Sequence, residues 1–266
     1  MTFEQITLDD LDKIRGLQPK DWGDIVPDFE FYIKSTFCTP IKVVVENKIA
    51  GIGAFIVFGN TSWLAHIIVH ISWRNKGIGS GIVNYFLKKA GDDSIETCSL
   101  IATDLGKPVY VKAGFRVVTE YVFLQQAGQW AGRPVSKNVV PFEEKYRAGI
   151  YELDKTVSGE TRESLLNGYL ENSFLYVDNG KVEGYYLPGL KEGLIFADTN
   201  KAGLELMNFK YLGTGRAVLP AENTCGIEFL MQNGFLEASR GTRMVFGKDL
   251  DWNPTKVYGR IGGNLG

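Results

Sequence analysis

The stretch Ser62–Ala90, SWLAHIIVHISWRNKGIGSGIVNYFLKKA, restricts the fold more than any other part of the chain. It opens as an apolar strand and closes as an amphipathic helix. In the helical part Ile78, Ile82, Val83, Phe86 and Ala90 recur on one face, with Lys88 and Lys89 on the other. The two parts meet through Arg74-Asn75-Lys76-Gly77-Ile78-Gly79-Ser80. A glycine-rich turn at a helix head leaves backbone N–H groups unpaired beside the positive end of the helix dipole, which suits phosphate. Arg74 and Lys76 add positive charge there. The turn therefore predicts a phosphate-bearing ligand, against the plainer alternative of a glycine turn that only caps a core helix.

Spacing narrows the ligand. No GxxxxGK run followed by Ser or Thr exists, so an ATP or GTP phosphate loop is not indicated. A dinucleotide fingerprint fails at its third glycine, where Ile82 stands. What remains is Arg-x-x-Gly-x-Gly between strand and helix. Downstream, Leu100–Phe115 reads LIATDLGKPVYVKAGF. This is an apolar strand, a short loop, a brief helix opened near Pro108 and a Gly-Phe stop. It contains Tyr-x-Lys-x-Gly-Phe from Tyr110 to Phe115.

Arg-x-x-Gly-x-Gly followed by Tyr-x-Lys-x-Gly-Phe resembles the two signatures of the GNAT superfamily of N-acetyltransferases. The resemblance implies an α/β (α+β) fold with a mixed, mostly antiparallel sheet flanked by helices, and acetyl-CoA as co-substrate. It implies that Arg74, Asn75, Lys76, Gly77, Ile78, Gly79 and Ser80 hold the pyrophosphate, largely through backbone N–H groups. It implies a bulged or splayed strand over Trp63–His70, whose backbone pairs with the pantetheine arm and polarises the thioester, with Ile68 and Val69 nearest the reacting centre. Tyr110 takes the role of general acid to the leaving thiolate, since a phenol stays protonated at neutral pH. A core tyrosine on a helix is the plainer reading of the same residue.

The general base is less determined. His66 and His70 share a face of a regular strand, and imidazole can accept a proton near neutrality. His66 is the candidate, against the commoner case of a hydrogen-bonded core histidine. The family often uses a glutamate on this strand or its neighbour, and this strand has none. Glu46, Asp28 and Glu30 are alternatives acting through water. The aromatic segment Gly16–Phe37, with Trp22, Phe29, Phe31 and Tyr32, lies where the family has a two-helix lid. It lines a substrate site or packs as the inner face of the lid. Trp252, Tyr258 and the glycine-rich Gly259–Gly266 are candidates for closing the pocket, against the reading of an exposed end.

The chain also contains a weak internal repeat. Gly106, Gly114 and Phe115 match Gly226, Gly234 and Phe235 at one offset, and the hairpin around Gly51 resembles that around Gly184. Gly51 to Gly114 is a longer interval than Gly184 to Gly234, so the second half is shorter. The missing residues fall at the turn Asp198-Thr199-Asn200, which lacks Arg-x-x-Gly-x-Gly, and Leu230 stands where Tyr110 stands. Chance similarity is the alternative. The layout expected is residues 1–126 as a GNAT domain that binds acetyl-CoA, 127–142 as a linker rich in glycine and polar residues, and 143–266 as a second, smaller, degenerate GNAT-like domain.

Composition sets the remaining bounds. A chain of 266 residues with 44% hydrophobic content can build one large or two small cores. A net charge of −2 argues against nucleic acid or an anionic membrane as partner. Cys38, Cys98 and Cys225 form no CxxC, and with only His66 and His70 no metal site is expected. The start MTFEQITLDDLDK lacks signal-peptide character, and the longest apolar run, Ile49–Phe58, is too short for a bilayer span, so a cytoplasmic place is expected. The function expected is N-acetyl transfer from acetyl-CoA to a primary amine of a small molecule or amino acid, by direct attack in a ternary complex, in a monomer or homodimer. A non-catalytic acetyl-CoA sensor is the alternative, and a Rossmann-type oxidoreductase a weaker third.

Overall fold

Tight hairpins and a close helix–sheet contact organise the first half of the chain. The computed structural model describes residues 1–19, 22–128, 130, 132–212 and 215–266. Lys20 and Asp21 of the expected lid, Gln129 and Ala131 of the expected linker, and Gly213 and Thr214 of the second half lie outside the described residues. The first compact unit comprises Met1–Val117, Met244–Lys248 and Gly263–Leu265. In chain order it holds β1 (Thr2–Gln5), α1 (Leu11–Ile14), α2 (Val26–Lys34), β2 (Cys38–Val45), β3 (Lys48–Phe58), β4 (Thr61–Val69), α3 (Ile78–Asp92), β5 (Thr97–Ala102) and α4 (Lys107–Lys112). Strands β1 to β4 pair antiparallel with their neighbours, and β5 joins β4 in parallel. This is the mixed, mostly antiparallel sheet flanked by helices that the sequence implied.

Local chemistry explains each step. At the β2–β3 turn Glu46 and Asn47 both take positive φ (50° and 59°), the conformation that a two-residue hairpin requires. The predicted helix face is buried in full: Ile78, Ile82, Val83, Phe86 and Ala90 enter one core with Ile41, Val43, Phe55 and Leu64. Gly51 and Gly53 on β3 let α3 lie close. A Cβ at Gly53 would stand 2.9 Å from Phe86 Cε2 and 3.0 Å from Ile82 Cγ2. The segment Met244–Lys248 completes this unit, with Lys248 N–H donating to Glu96 O at 2.9 Å.

The second unit comprises Val118–Arg243, Asp249–Gly262 and Gly266. It contains most of β6 (Arg116–Gln126) and then β7 (Val139–Pro141), α5 (Arg147–Ser158), α6 (Glu163–Leu166), β8 (Phe174–Asp178), β9 (Lys181–Leu187), β10 (Leu194–Ala197), α7 (Asn200–Lys210), β11 (Arg216–Pro220), α8 (Thr224–Gln232), the greater part of β12 (Phe235–Gly247), and β13 (Val257–Gly259). Strands β13, β10, β9, β8 and β7 form an antiparallel sheet in that order. The β8–β9 turn again uses two positive-φ residues, Asn179 and Gly180. Behind β9, the carboxylate of buried Asp154 accepts from Arg162 Nε (3.1 Å) and Nη2 (2.6 Å) and from Tyr185 OH (2.5 Å). The bounds between units fall at Val117–Val118 inside β6 and Arg243–Met244 inside β12, and β7 lies within the segment expected to link two domains.

Candidate active site

The head of α3 is left bare. Gly77 caps it with φ +80° and Asn75 precedes it with φ +59°, both in the left-handed region. The first bond of the turn is Gly81 N–H to Gly77 O at 2.8 Å. Among the described residues none accepts from the N–H groups of Asn75 through Ser80. Six consecutive positions thus offer donors, at the positive end of a 15-residue helix. Arg74 is exposed and its Nε donates to Val69 O at 3.3 Å, while Lys76 Nζ lies 4.5 Å from the Trp73 ring centre. Gly79 has no internal need to be glycine. Its Cβ would meet only Val69 Cγ2, at the ordinary distance of 3.6 Å.

Strand β4 is irregular on both edges. Its parallel pairing with β5 ends at Trp63↔Ser99, although both strands run on, so β4 and β5 part company beyond this point. On the other edge Ala54 pairs Ala65 but Ile52 pairs Ile68, which gives β4 one extra residue. His66 sits in this bulge with φ +47°. The bond from His70 N–H to Ala50 O (2.9 Å) sets the alternation beyond the bulge. The Ile68 amide then faces β3, and the amides of Ile67 and Val69 face the edge that β5 leaves.

The bulge also reverses the strand's faces. Leu64 and Ile67 join the core under α3. His66, two residues after Leu64, turns instead to α2 and its approach. Its ring centre lies 5.7 Å from those of Phe29 and Tyr32 and 5.8 Å from that of Trp22. Nδ1 is 2.8 Å from Tyr32 OH, and Nε2 is 3.5 Å from Asp28 Oδ2. Burial pulls its pKa down to about 4, so the ring is neutral at physiological pH. With Nδ1 taken by a hydroxyl and Nε2 facing a carboxylate, no ring lone pair is left for an incoming amine. Of the alternative acids, Asp28 is brought to His66. Glu30 instead pairs with Lys34, and Glu46 is exposed in the hairpin turn. His70 Nδ1 accepts from Ser72 N–H at 3.3 Å. In the lid segment Phe29 and Tyr32 are packed inward rather than lining an open site.

Tyr110 lies on α4, whose first turn holds Pro108 and whose exit is Gly114 at φ +96°. Its ring packs at the edge of the core shared by Val69, Trp73 and Ile78, and stands 5.9 Å from Phe115. The structure thus gathers Tyr110, the α3 head and the end of β4 around one cluster. Burial pushes the phenol up to about 12, so it stays protonated at neutral pH. One participant had no clear sequence signal. Asn264, in the glycine-rich end, is buried, and its Nδ2 donates to Tyr32 OH at 2.5 Å. The end of the chain is mostly buried rather than exposed.

Residues 37–117 match the family model of the acetyltransferase (GNAT) domain. This segment is a GNAT-type acetyltransferase domain by that match. No curated protein matches it in sequence. Solved structures with the GNAT fold match both halves. A protein from Pyrococcus horikoshii assigned as an acetyltransferase aligns with a TM-score of 0.82 and 19% identity, over 100% of this chain and 95% of that one. A GCN5-related N-acetyltransferase from Sphaerobacter thermophilus gives 0.63 and 15%, over 95% and 98%. A tandem GNAT protein from the clavulanic acid biosynthesis pathway gives 0.61 and 13%, over 92% and 98%. The GNAT segment makes acetyl transfer the general class of activity. Among the described residues no helix is long and apolar enough to cross a membrane, and no cluster of metal-ligating side chains occurs.

In the second unit the corresponding kinds of feature, a helix head and a strand edge, have partners of their own. The head of α7 is capped by Thr199, whose Oγ1 accepts from Ala202 N–H at 3.2 Å. Asp198 beside it is tied to Lys181 (3.1 Å) and Lys256 (2.7 Å). The edge of β10 is paired by β13, and Tyr258 from β13 donates to Asn200 Oδ1 at 2.6 Å. A Cβ at Gly203 would stand 2.4 Å from the Tyr258 ring. Trp252 stacks under Arg243 at 3.9 Å, and Leu230 is buried.

Proposed function

We propose that the first unit transfers an acetyl group from acetyl-CoA to a primary amine of a small molecule or amino acid, by direct attack in a ternary complex. The observation that carries this reading is the bare head of α3 beside a strand that parts from its neighbour, with Tyr110 on the same cluster. The N–H groups of Asn75–Ser80, with Arg74 and Lys76, hold the pyrophosphate. The open edge of β4, Ile67 to Val69, pairs with the pantetheine amides, and one of its N–H groups polarises the thioester carbonyl. The amine nitrogen attacks that carbon, the carbon–sulfur bond breaks, and the Tyr110 hydroxyl donates to the departing sulfur. The ammonium proton leaves through water, with Asp28 the nearest carboxylate to His66.

One coenzyme binds per chain in this reading, because Thr199, β13 and Tyr258 fill the corresponding features of the second unit, which is a degenerate GNAT-like domain. Nucleic acid and membrane are not partners, a reducing cytoplasm suits the unpaired cysteines, and the molecule works as a monomer or homodimer. The test is release of free thiol from acetyl-CoA with a panel of amines, wild type against Tyr110→Phe. Turnover with at least one amine, reduced at least about tenfold by Tyr110→Phe, is expected. Coenzyme binding without turnover on any amine would make the protein a sensor instead.

A further inference from the structure

Resting on that acetyl-transfer reading, we propose that Asn264, Tyr32, His66 and Asp28 form a clamp that holds the β4 bulge in its working shape, with Asn264, Tyr32 and His66 as positioning residues. The bond directions carry this. Asn264 Nδ2 can only donate, and it lies 2.5 Å from the Tyr32 oxygen. The single hydroxyl hydrogen of Tyr32 is then left for His66 Nδ1, 2.8 Å away. Nδ1 carries no proton, so the neutral ring bears its hydrogen on Nε2, facing Asp28 at 3.5 Å. Both ring nitrogens are therefore tied to α2, and α2 is tied to a residue 232 positions away in the chain. All four residues belong to the first unit.

The backbone of His66 is what needs holding. A φ of +47° is rarely adopted outside glycine and persists only where the surroundings impose it. This is also the point at which β4 gains its extra residue, and the amides that follow are those facing the open edge. A bulge that relaxed into a regular ladder would reverse the direction of these amides. The clamp therefore acts on the donors to the thioester rather than on the amine's proton.

Substitutions separate a clamp from a base. Asparagine tolerates positive φ and its amide oxygen can accept from Tyr32, whereas valine does neither. In the full chain, His66→Asn is expected to keep at least about tenfold more kcat than His66→Val, with the shape of the pH–rate profile retained. Tyr32→Phe and Asn264→Leu are expected to lower kcat about tenfold, the worth of roughly one hydrogen bond, and to leave KM for acetyl-CoA within about twofold. Amide hydrogen exchange over residues 64–69 should quicken about tenfold in both. Equal inactivity of the two His66 variants, with loss of an ionisation from the kcat/KM profile, would make His66 the base and end the proposal. So would unchanged exchange in Tyr32→Phe. Where melting shows that His66→Val does not fold, the other three variants decide. A wild type that releases no thiol defeats the acetyl-transfer reading alone, since hydrogen exchange still decides the clamp.

Discussion

Replacing Gly79 with valine separates the demands of a ligand from those of the fold. A Cβ at this position meets only Val69 Cγ2, at 3.6 Å, and the backbone is not in the left-handed region. The folded state should therefore change by less than about 0.5 kcal/mol. Binding should suffer far more. The side chain would cover N–H groups at the head of α3, and hydrogen bonds to a charged group are worth about 1.5–3 kcal/mol each. Losing two of them gives about 3–6 kcal/mol, or on the order of 100- to 10,000-fold in affinity. Calorimetric titration with acetyl-CoA reads the affinity, and thermal melting reads the fold. Gly53→Val is the opposite control. Its Cβ would stand 2.9 Å from Phe86 Cε2, and overpacking of this kind costs about 1–3 kcal/mol. It should melt several degrees lower, because each kcal/mol shifts a unit of this size by a few degrees. A Gly79→Val protein that melts like wild type and binds acetyl-CoA within about threefold would refute the assignment of the loop.

Other outcomes follow from the same contacts. Asp154→Ala strips the buried Arg162 guanidinium of its partner at 2.6 Å, with Glu160 at 3.8 Å left as the remaining acid. Urea unfolding should show a loss of about 3–5 kcal/mol, and a loss below about 1 kcal/mol would contradict a paired buried charge. Calorimetry should give one acetyl-CoA per chain, and a stoichiometry of two would show that β13 and Tyr258 do not close the second unit. His66 is held neutral, with its pKa lowered to about 4 from an unfolded value near 6.5. The unfolded chain then binds the extra proton, so this residue's share of stability is intact above about pH 6.5 and is lost as pH falls toward 4. The share is at most about 3 kcal/mol, trimmed by Asp28 at 3.5 Å, which favours the charged ring. His66→Asn should flatten the stability curve over that window, and an unchanged curve would show that burial is not what sets the ring's charge.

Much of the fold was legible because its causes are local. The apolar face Ile78 to Ala90, the Asn47 and Asn179 turns and the Gly114 stop each rest on spacing or on one residue's preferred φ. The bare head of α3 was legible for the same reason, since unpaired N–H groups at a helix head need only the glycines beside them. His66 was harder. Strand alternation sends it to the side of Leu64, and the bulge sends it to the other, where Tyr32 and Asp28 wait. The unit bounds inside β6 and β12 leave no mark in composition, because a strand keeps the same residue types on both sides of such a bound.

The sequence by itself determined the strand–turn–helix step into α3, its buried face and the bare helix head. Tertiary structure alone decided which side His66 faces, how its protons are placed, and that Asn264 reaches Tyr32. Periodicity and capping act over a few residues, so they can be read along the chain. The bulge, the tautomer and a hydrogen bond spanning 232 positions depend on neighbours that only folding brings together.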